Sequence, residues 1–234
     1  MRVSEIRRYP VKSLLGETVT AATVGDRGLE GDRLWAVRDA DGKFGSGKNT
    51  RRFRRMPGLF RMRAVTGDPA PIVELPDGTR FAAEDPAGCR AVSEVLGRAV
   101  EIVPEAAVRH HDEGPVSLLT TAALRSLTRL CGGEPAGGDV DPLRFRANLL
   151  IDGADDGFPE DEWPGRRLRI GPDVVLRIER PITRCVMIDM AQDTAVERND
   201  LLKALAAEHG MTFGVVAAVA RPGRVAVGDR AEIV

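Results

Sequence analysis

Leu34-Trp35-Ala36-Val37-Arg38-Asp39-Ala40-Asp41-Gly42 is an apolar run that stops at an Asp-Gly pair. Glycine takes the positive φ that a tight reversal demands, so the stretch reads as a strand feeding a hairpin turn. The same grammar recurs at Ile72-Val73-Glu74-Leu75, Pro76-Asp77-Gly78 and Arg80-Phe81-Ala82. Working outward, residues 3–9 carry apolar Val3, Ile6 and Tyr9 and end at Pro10, which predicts a first strand. Residues 145–151 and 174–178 read as further strands, and residues 213–219 and 230–234 as the closing ones.

Three stretches carry helical spacing. Residues 86–97 open on Pro86, place Ala91, Val92, Val95 and Leu96 on one stripe and stop at Gly97. Residues 121–130 have Thr120 or Thr121 as cap and Leu124, Leu127 and Leu130 inward. A third helix is expected from 197 or 199 to 209, with Leu201, Leu202 and Leu205 inward and Gly210 ending it. His209 then falls in the last turn, where its imidazole suits the helix dipole. Residues 132–141 read as a loop. Many short strands, tight turns and isolated helices predict a barrel or sandwich, mainly β with a few helices (α+β), rather than repeated βαβ units. A soft seam falls near residues 98–114.

At 234 residues the chain suits one body or two modules sharing a core. Its 43% apolar and 29% charged residues are those of a folded, soluble chain. With 34 basic against 35 acidic side chains, net charge favours no nucleic acid, and no apolar run approaches the roughly 20 residues that span a bilayer. The N-terminus lacks the apolar stretch of a secretory signal, and Cys89, Cys131 and Cys185 contain no CxxC pair. A cytoplasmic protein without disulfides, closed zinc site or iron–sulfur cluster is expected.

Gly42-Lys43-Phe44-Gly45-Ser46-Gly47-Lys48-Asn49 matches the G-x-x-x-x-G-K core of a phosphate loop. Asn49 stands where the magnesium-binding hydroxyl belongs, and no amphipathic helix follows, so a hairpin tip is the better reading. The arginine run 51–55 reads as a solvated face, His110-His111-Asp112-Glu113 as a polar loop, and Trp163-Pro164-Gly165 as a turn over a packed indole.

Cys185 differs from the other cysteines because Arg184 precedes it, at the start of the apolar run Val186-Met187-Ile188. A guanidinium favours thiolate, the species that binds a soft metal or attacks an electrophile. The alternative, a small apolar residue in a strand, stays open. Lys12-Ser13 follows Pro10 and is expected in a turn where an ammonium, a hydroxyl and backbone N–H groups meet an anion, with Arg33 joining if the first strands pair. Strand alternation would put Arg144, Arg146 and Asn148 on one face.

Together these pieces resemble the MOSC family. Tyr9-Pro10-Val11-Lys12-Ser13, Gly16 and Gly31-Asp32-Arg33 with Trp35 are similar to its N-terminal β-barrel module. Phe145-Arg146-Ala147-Asn148-Leu149, Thr183-Arg184-Cys185 with Asp189, and Phe213-Gly214-Val215 through Gly228-Asp229 are similar to the MOSC domain. The resemblance implies a MOSC-type β-barrel with an N-terminal module, divided as residues 1–100 and 101–234. The nearest functional group it resembles is the amidoxime-reducing component and its bacterial relatives. It implies the molybdenum cofactor, with Cys185 as metal ligand and catalytic centre, Lys12, Ser13 and Arg33 on the pterin phosphate, Arg146 and Asn148 lining the pocket, and Arg184 beside the ligand. The implied chemistry is oxygen-atom transfer from a small N-hydroxylated substrate, with electrons from a separate ferredoxin- or flavoprotein-type donor. Cofactor delivery, or sulfur transfer on a Cys185 persulfide, is the alternative. At the level of the domain the resemblance also brings pyridoxal phosphate binding. Ala147 departs from the family's usual proline.

Overall fold

The computed structural model describes residues 1–132 and 139–234, so the loop expected at 132–141 lies largely outside the described residues. Among these residues the strands form one sheet of eight, one of five and two of three. The eight-stranded sheet runs Ala231–Ile233, Arg167–Ile170, Val174–Thr183, Thr212–Arg221, Val116–Thr120, Leu149–Asp152, Arg2–Arg8 and Glu17–Val19. Hydrogen bonds from Val3 N to Asp229 O and from Ala231 N to Met1 O, each 2.9 Å, draw the last strand back to the first, and the sheet curls into a barrel. Its inward residues, among them Ile6, Leu118, Ile151, Leu176 and Val215, make one apolar core. The molecule is mainly β, as the hairpin grammar predicts.

The five-stranded sheet joins Val100–Pro104, Trp35–Asp39, Phe44–Ser46 and Phe53–Arg55, with Val11–Lys12 parallel to the Trp35 strand. It covers a second core around Leu14, Val37, Leu59 and Val73. Sequence order and sheet membership do not coincide. Arg2–Arg8 pairs with Leu149–Asp152, and Gly223–Ala226 pairs with Ala21–Gly25.

Helix α1 (Pro86–Leu96) starts at Asp85, whose carboxylate accepts from Ala87 N at 2.8 Å, and ends where Gly97 turns left-handed at φ +59°. Its buried stripe runs through Gly88 and Val92, four apart, and not through Val95, which the sequence reading placed inward but which is exposed. Helix α2 (Thr121–Leu130) is capped by Thr120 Oγ1 on Ala123 N, 3.0 Å, and buries Leu124 and Leu127. Its last residue, Leu130, is 43% exposed, against expectation. Helix α3 (Leu201–Glu208) starts later than expected, where the Asp189 carboxylate accepts from Leu201 N at 3.0 Å, and packs with α2 on a third core around Leu119, Phe145 and Phe213. Leu202 is only partly buried there.

The strand expected over 145–151 begins only at Leu149. Asp141 caps Leu143 N, Pro142 opens a 3₁₀ turn over Pro142–Phe145, and Arg146 closes it at φ +53°. The strand at 174–178 is longer than expected and reaches Thr183.

Candidate functional site

A cleft of about 860 Å³, counting its open mouth, lies where the three cores meet. Lys12, Ser13, Arg33, Arg146, Arg184 and Cys185 all line it, although they span most of the chain. Asn148 does not line it. It lies behind, buried, where Oδ1 accepts from Ser117 N and Oγ (3.1 and 3.0 Å) and Nδ2 donates to Arg7 O, so it positions Ser117 on the cleft wall.

Lys12 is not in the expected turn. The carbonyl of Pro10 accepts from Trp35 N, which draws Val11 and Lys12 into a short parallel strand; the turn comes one residue later, at Ser13 with φ +67°. The Lys12 side chain is buried, 2.6 Å from Asp112, with its ammonium 4.7 Å from the centre of the Phe53 ring. Ser13 Oγ donates to Gly45 O at 2.8 Å, so its hydroxyl holds the hairpin rather than facing the cleft free.

Arg33, at φ +51°, follows the fully buried Asp32, pairs with it, and donates to Arg146 O at 3.0 Å. Arg33 and Arg146 both lie over the Tyr9 ring, at 4.7 and 4.3 Å. Arg146 gives one hydrogen bond, Nη2 to Leu14 O at 2.6 Å, and its Nη1 is buried without a protein partner. The expected common strand face for Arg144, Arg146 and Asn148 is absent, since Arg144 lies in the 3₁₀ turn and Arg146 is left-handed. All three are nonetheless buried, and Arg144 reaches across to Ile188 O and Val196 O (3.3 and 2.6 Å).

Cys185 lies at the end of the strand Val174–Thr183, not at the start of another, and precedes a 3₁₀ turn over Val186–Ile188. The isolated Arg184 N–H is held by Met211 O at 2.7 Å. The Arg184 guanidinium donates to Phe213 O and Phe145 O (2.8 and 2.9 Å), leaving Nη2 buried and unpartnered. Gly214, at φ +70°, leaves room for this arrangement: a Cβ there would lie 2.3 Å from Leu119 Cδ2 and 3.3 Å from Arg184 Nη2.

The polar loop expected at 110–113 is irregular, with Asp112 and Glu113 exposed but its two histidines not solvated. His110 and His111 are buried, while His111, Asp112 and Glu113 line the cleft. Burial pushes His110 down to about 4 despite Glu105, and lowers His111 despite Asp32, 3.6 Å away, so both rings are neutral at neutral pH. Burial also lowers Lys12 to about 8, with Asp112 opposing, and Arg146 and Arg184 to about 10. Asp112, Lys48 and His111 are site residues that the sequence reading passed over. Lys48 carried the only signal, as the lysine of the discarded phosphate-loop match.

Six buried or half-buried cations, Lys12, Arg33, Lys48, Arg144, Arg146 and Arg184, therefore share the cleft with a thiol, and its two carboxylates are already committed, Asp112 to Lys12 and Glu113 to Arg180. Two guanidinium nitrogens remain without acceptors, a surroundings suited to a ligand with a phosphate at one end and a group that binds sulfur at the other.

Residues 105–232 match the MOSC domain, and residues 1–84 match the MOSC N-terminal beta barrel domain. The chain belongs to the MOSC family. It is 27% identical, over a 243-residue alignment, to a molybdenum cofactor sulfurase of Drosophila grimshawi. That alignment covers 88% of this chain and 30% of the sulfurase, so the chain spans under a third of its relative's length. Its fold is like that of the YuaD protein of Bacillus subtilis, with a TM-score of 0.55 at 15% identity over 99% of this chain and 94% of the other. The YiiM protein of Escherichia coli aligns over all of this chain and 70% of its own, with a TM-score of 0.47 at 14% identity.

Proposed function

We propose that this cleft binds the molybdenum cofactor, with Cys185 as the protein's ligand to the metal, and that the chain reduces N-hydroxylated compounds. The observation that carries the proposal is the meeting of Cys185 with the unpartnered donors Arg146 Nη1 and Arg184 Nη2 in one cleft. These are the partners that a pterin phosphate and a thiolate-seeking metal need, and the residues fit the group. Membership of the MOSC family and likeness to a molybdenum cofactor sulfurase support the same cofactor.

Lys12 and Arg33 would hold the phosphate, with Ser13 shaping the turn that presents them. Arg146 and Arg184 would neutralise the rest of the ligand's charge from the cleft floor. Asn148 keeps Ser117 in place behind it. When bound, the cofactor supplies two-electron oxygen-atom transfer at molybdenum. The overall change, R–NHOH with two electrons and two protons giving R–NH₂ and water, takes its electrons from a separate ferredoxin- or flavoprotein-type donor. Cys185 would hold the metal, and the apolar Ile182, Ile188 and Val216 that share the cleft lining with it would limit water.

A second reading draws on the likeness to a relative named as a molybdenum cofactor sulfurase: this chain would carry cofactor, or sulfur on Cys185, without turnover of its own. The two separate on one assay. Cofactor-loaded protein is given an N-hydroxylated amidine and a reduced viologen as artificial electron donor. Turnover that disappears in Cys185→Ser supports the reductase. Metal-loaded protein without turnover supports the carrier.

A further inference from the structure

Several cations lining the cleft lie over aromatic rings, and the closest of these contacts are made by Tyr9, the chain's only tyrosine. Arg146 stands 4.3 Å from the centre of its ring and Arg33 4.7 Å. Tyr9 has no exposed surface, and its hydroxyl is buried without a partner in the protein, so hydrogen bonding does not explain the side chain. Burial raises the pKa of that hydroxyl, although Arg146, Arg7 and Arg33 oppose it. The phenol is therefore neutral and offers the cations a π face rather than a charge.

The same three residues are tied through the backbone. Tyr9 O accepts from Arg33 N at 2.7 Å, and Arg33 Nη2 donates to Arg146 O at 3.0 Å. Both arginines hold a positive φ, +51° and +53°, which residues with a Cβ adopt only where their surroundings impose it. Arg146 Nη2 donates to Leu14 O at 2.6 Å, so that bond and the ring fix the guanidinium and leave Nη1 for a ligand. A carboxylate against a guanidinium cancels the charge that attracts an anion, whereas a ring face steadies the cation and leaves its charge available. Arg146 is buried with no carboxylate within 4.0 Å among the described residues, and the Tyr9 ring takes that place. We propose that Tyr9 is the positioning residue of the anion site, its ring face orienting the Arg33 and Arg146 guanidiniums towards a phosphoryl group in the cleft. The inference rests on the proposed function only in that a ligand's phosphate is held there.

The test is calorimetric titration of cofactor-free protein with inorganic phosphate. Tyr9→Phe keeps the ring and should bind within about twofold of native, whereas Tyr9→Leu should bind about tenfold more weakly. Because leucine in place of a buried ring can cost the fold itself, a second series keeps the volume. It places phenylalanine bearing one, two or three fluorines at position 9, which drains the ring's negative face. Affinity is expected to fall stepwise with each fluorine. The same series at Phe60, a buried ring with no cation over it among the described residues, should leave affinity unchanged. Affinity that ignores fluorination at position 9, or that falls equally at position 60, would overturn the proposal. Native protein that binds no phosphate would overturn it together with the anion site. Affinity that tracks fluorination, in protein that takes up no molybdenum when made in a cofactor-competent host, supports the role of Tyr9 and overturns the cofactor reading alone.

Discussion

Asp32 has no exposed surface and is surrounded by Arg33, the Tyr9 N–H at 2.8 Å and His111 at 3.6 Å. Burial opposes its ionisation, but Arg33, His111 and Tyr9 N–H outweigh that and hold it at about 2. Since the unfolded carboxyl titrates near about 3.9, Asp32 stabilises the fold above that pH, and the contribution is lost as pH falls towards 2. Asp32→Asn should flatten this acid limb. It should also cost about 3–5 kcal/mol at pH 7, since Arg33 is left buried without its counter-charge, as urea unfolding would show. Unchanged stability would refute the pair's role. Lys12 shows the same sign of linkage in a higher window: burial lowers it to about 8, below the roughly 10.4 of the unfolded chain, so the fold gains stability as pH rises between the two. Anion binding needs the ammonium. Phosphate affinity should therefore fall as pH rises through about 8, and Lys12→Met should bind weakly with no such step. Lys12, Arg33 and Cys185 were legible because their neighbours set them apart. His111 was not, because a polar quartet reads as solvated until the fold shows that its histidines are buried.

Two connections hold the cysteine and its arginine in place. The Asp189 carboxylate caps α3 through Leu201 N and Leu202 N (3.0 and 3.4 Å), and so ties the 3₁₀ turn after Cys185 to a helix. Asp189→Ala should cost about 1 kcal/mol in unfolding free energy and lower cofactor retention more than stability alone explains. Retention equal to native would show that the turn holds without its cap. Gly214→Ala combines a left-handed backbone with a Cβ 2.3 Å from Leu119 Cδ2 and 2.6 Å from Leu118 O, and should destabilise by about 2 kcal/mol or more. A melting temperature within a degree of native would contradict this. The helices were legible element by element, since Pro86, Gly97 and Thr120 punctuate them. Residues 145–148 were misread as strand because Phe145, Leu149 and Ile151 look like a β pattern, whereas Asp141-Pro142 is a helix-start signal whose turn runs to Phe145.

At the scale of the whole molecule, the strands Arg2–Arg8 and Ala21–Gly25 lie in sheets completed by residues more than a hundred positions away. Periodicity shows which residues form strands but not which strands pair, so this interleaving was beyond the sequence. It predicts one cooperative unfolding transition. The two tryptophans probe it: Trp35 packs on the first module's core and Trp163 lies in the barrel core. Trp35→Phe and Trp163→Phe, each followed through its remaining indole, should track their own backbone circular dichroism in urea. Separate midpoints within one variant would mean two independent units. The cleft depends on the same interleaving, since Lys12, Arg146 and Cys185 meet only when all three cores are assembled. The most direct test is to express the chain in a host that makes molybdenum cofactor and to quantify molybdenum and released pterin in native protein and Cys185→Ser. The account predicts near-stoichiometric molybdenum in the native protein, lost or strongly reduced in the variant while its melting temperature is kept. A well-folded native protein with neither molybdenum nor pterin would contradict it.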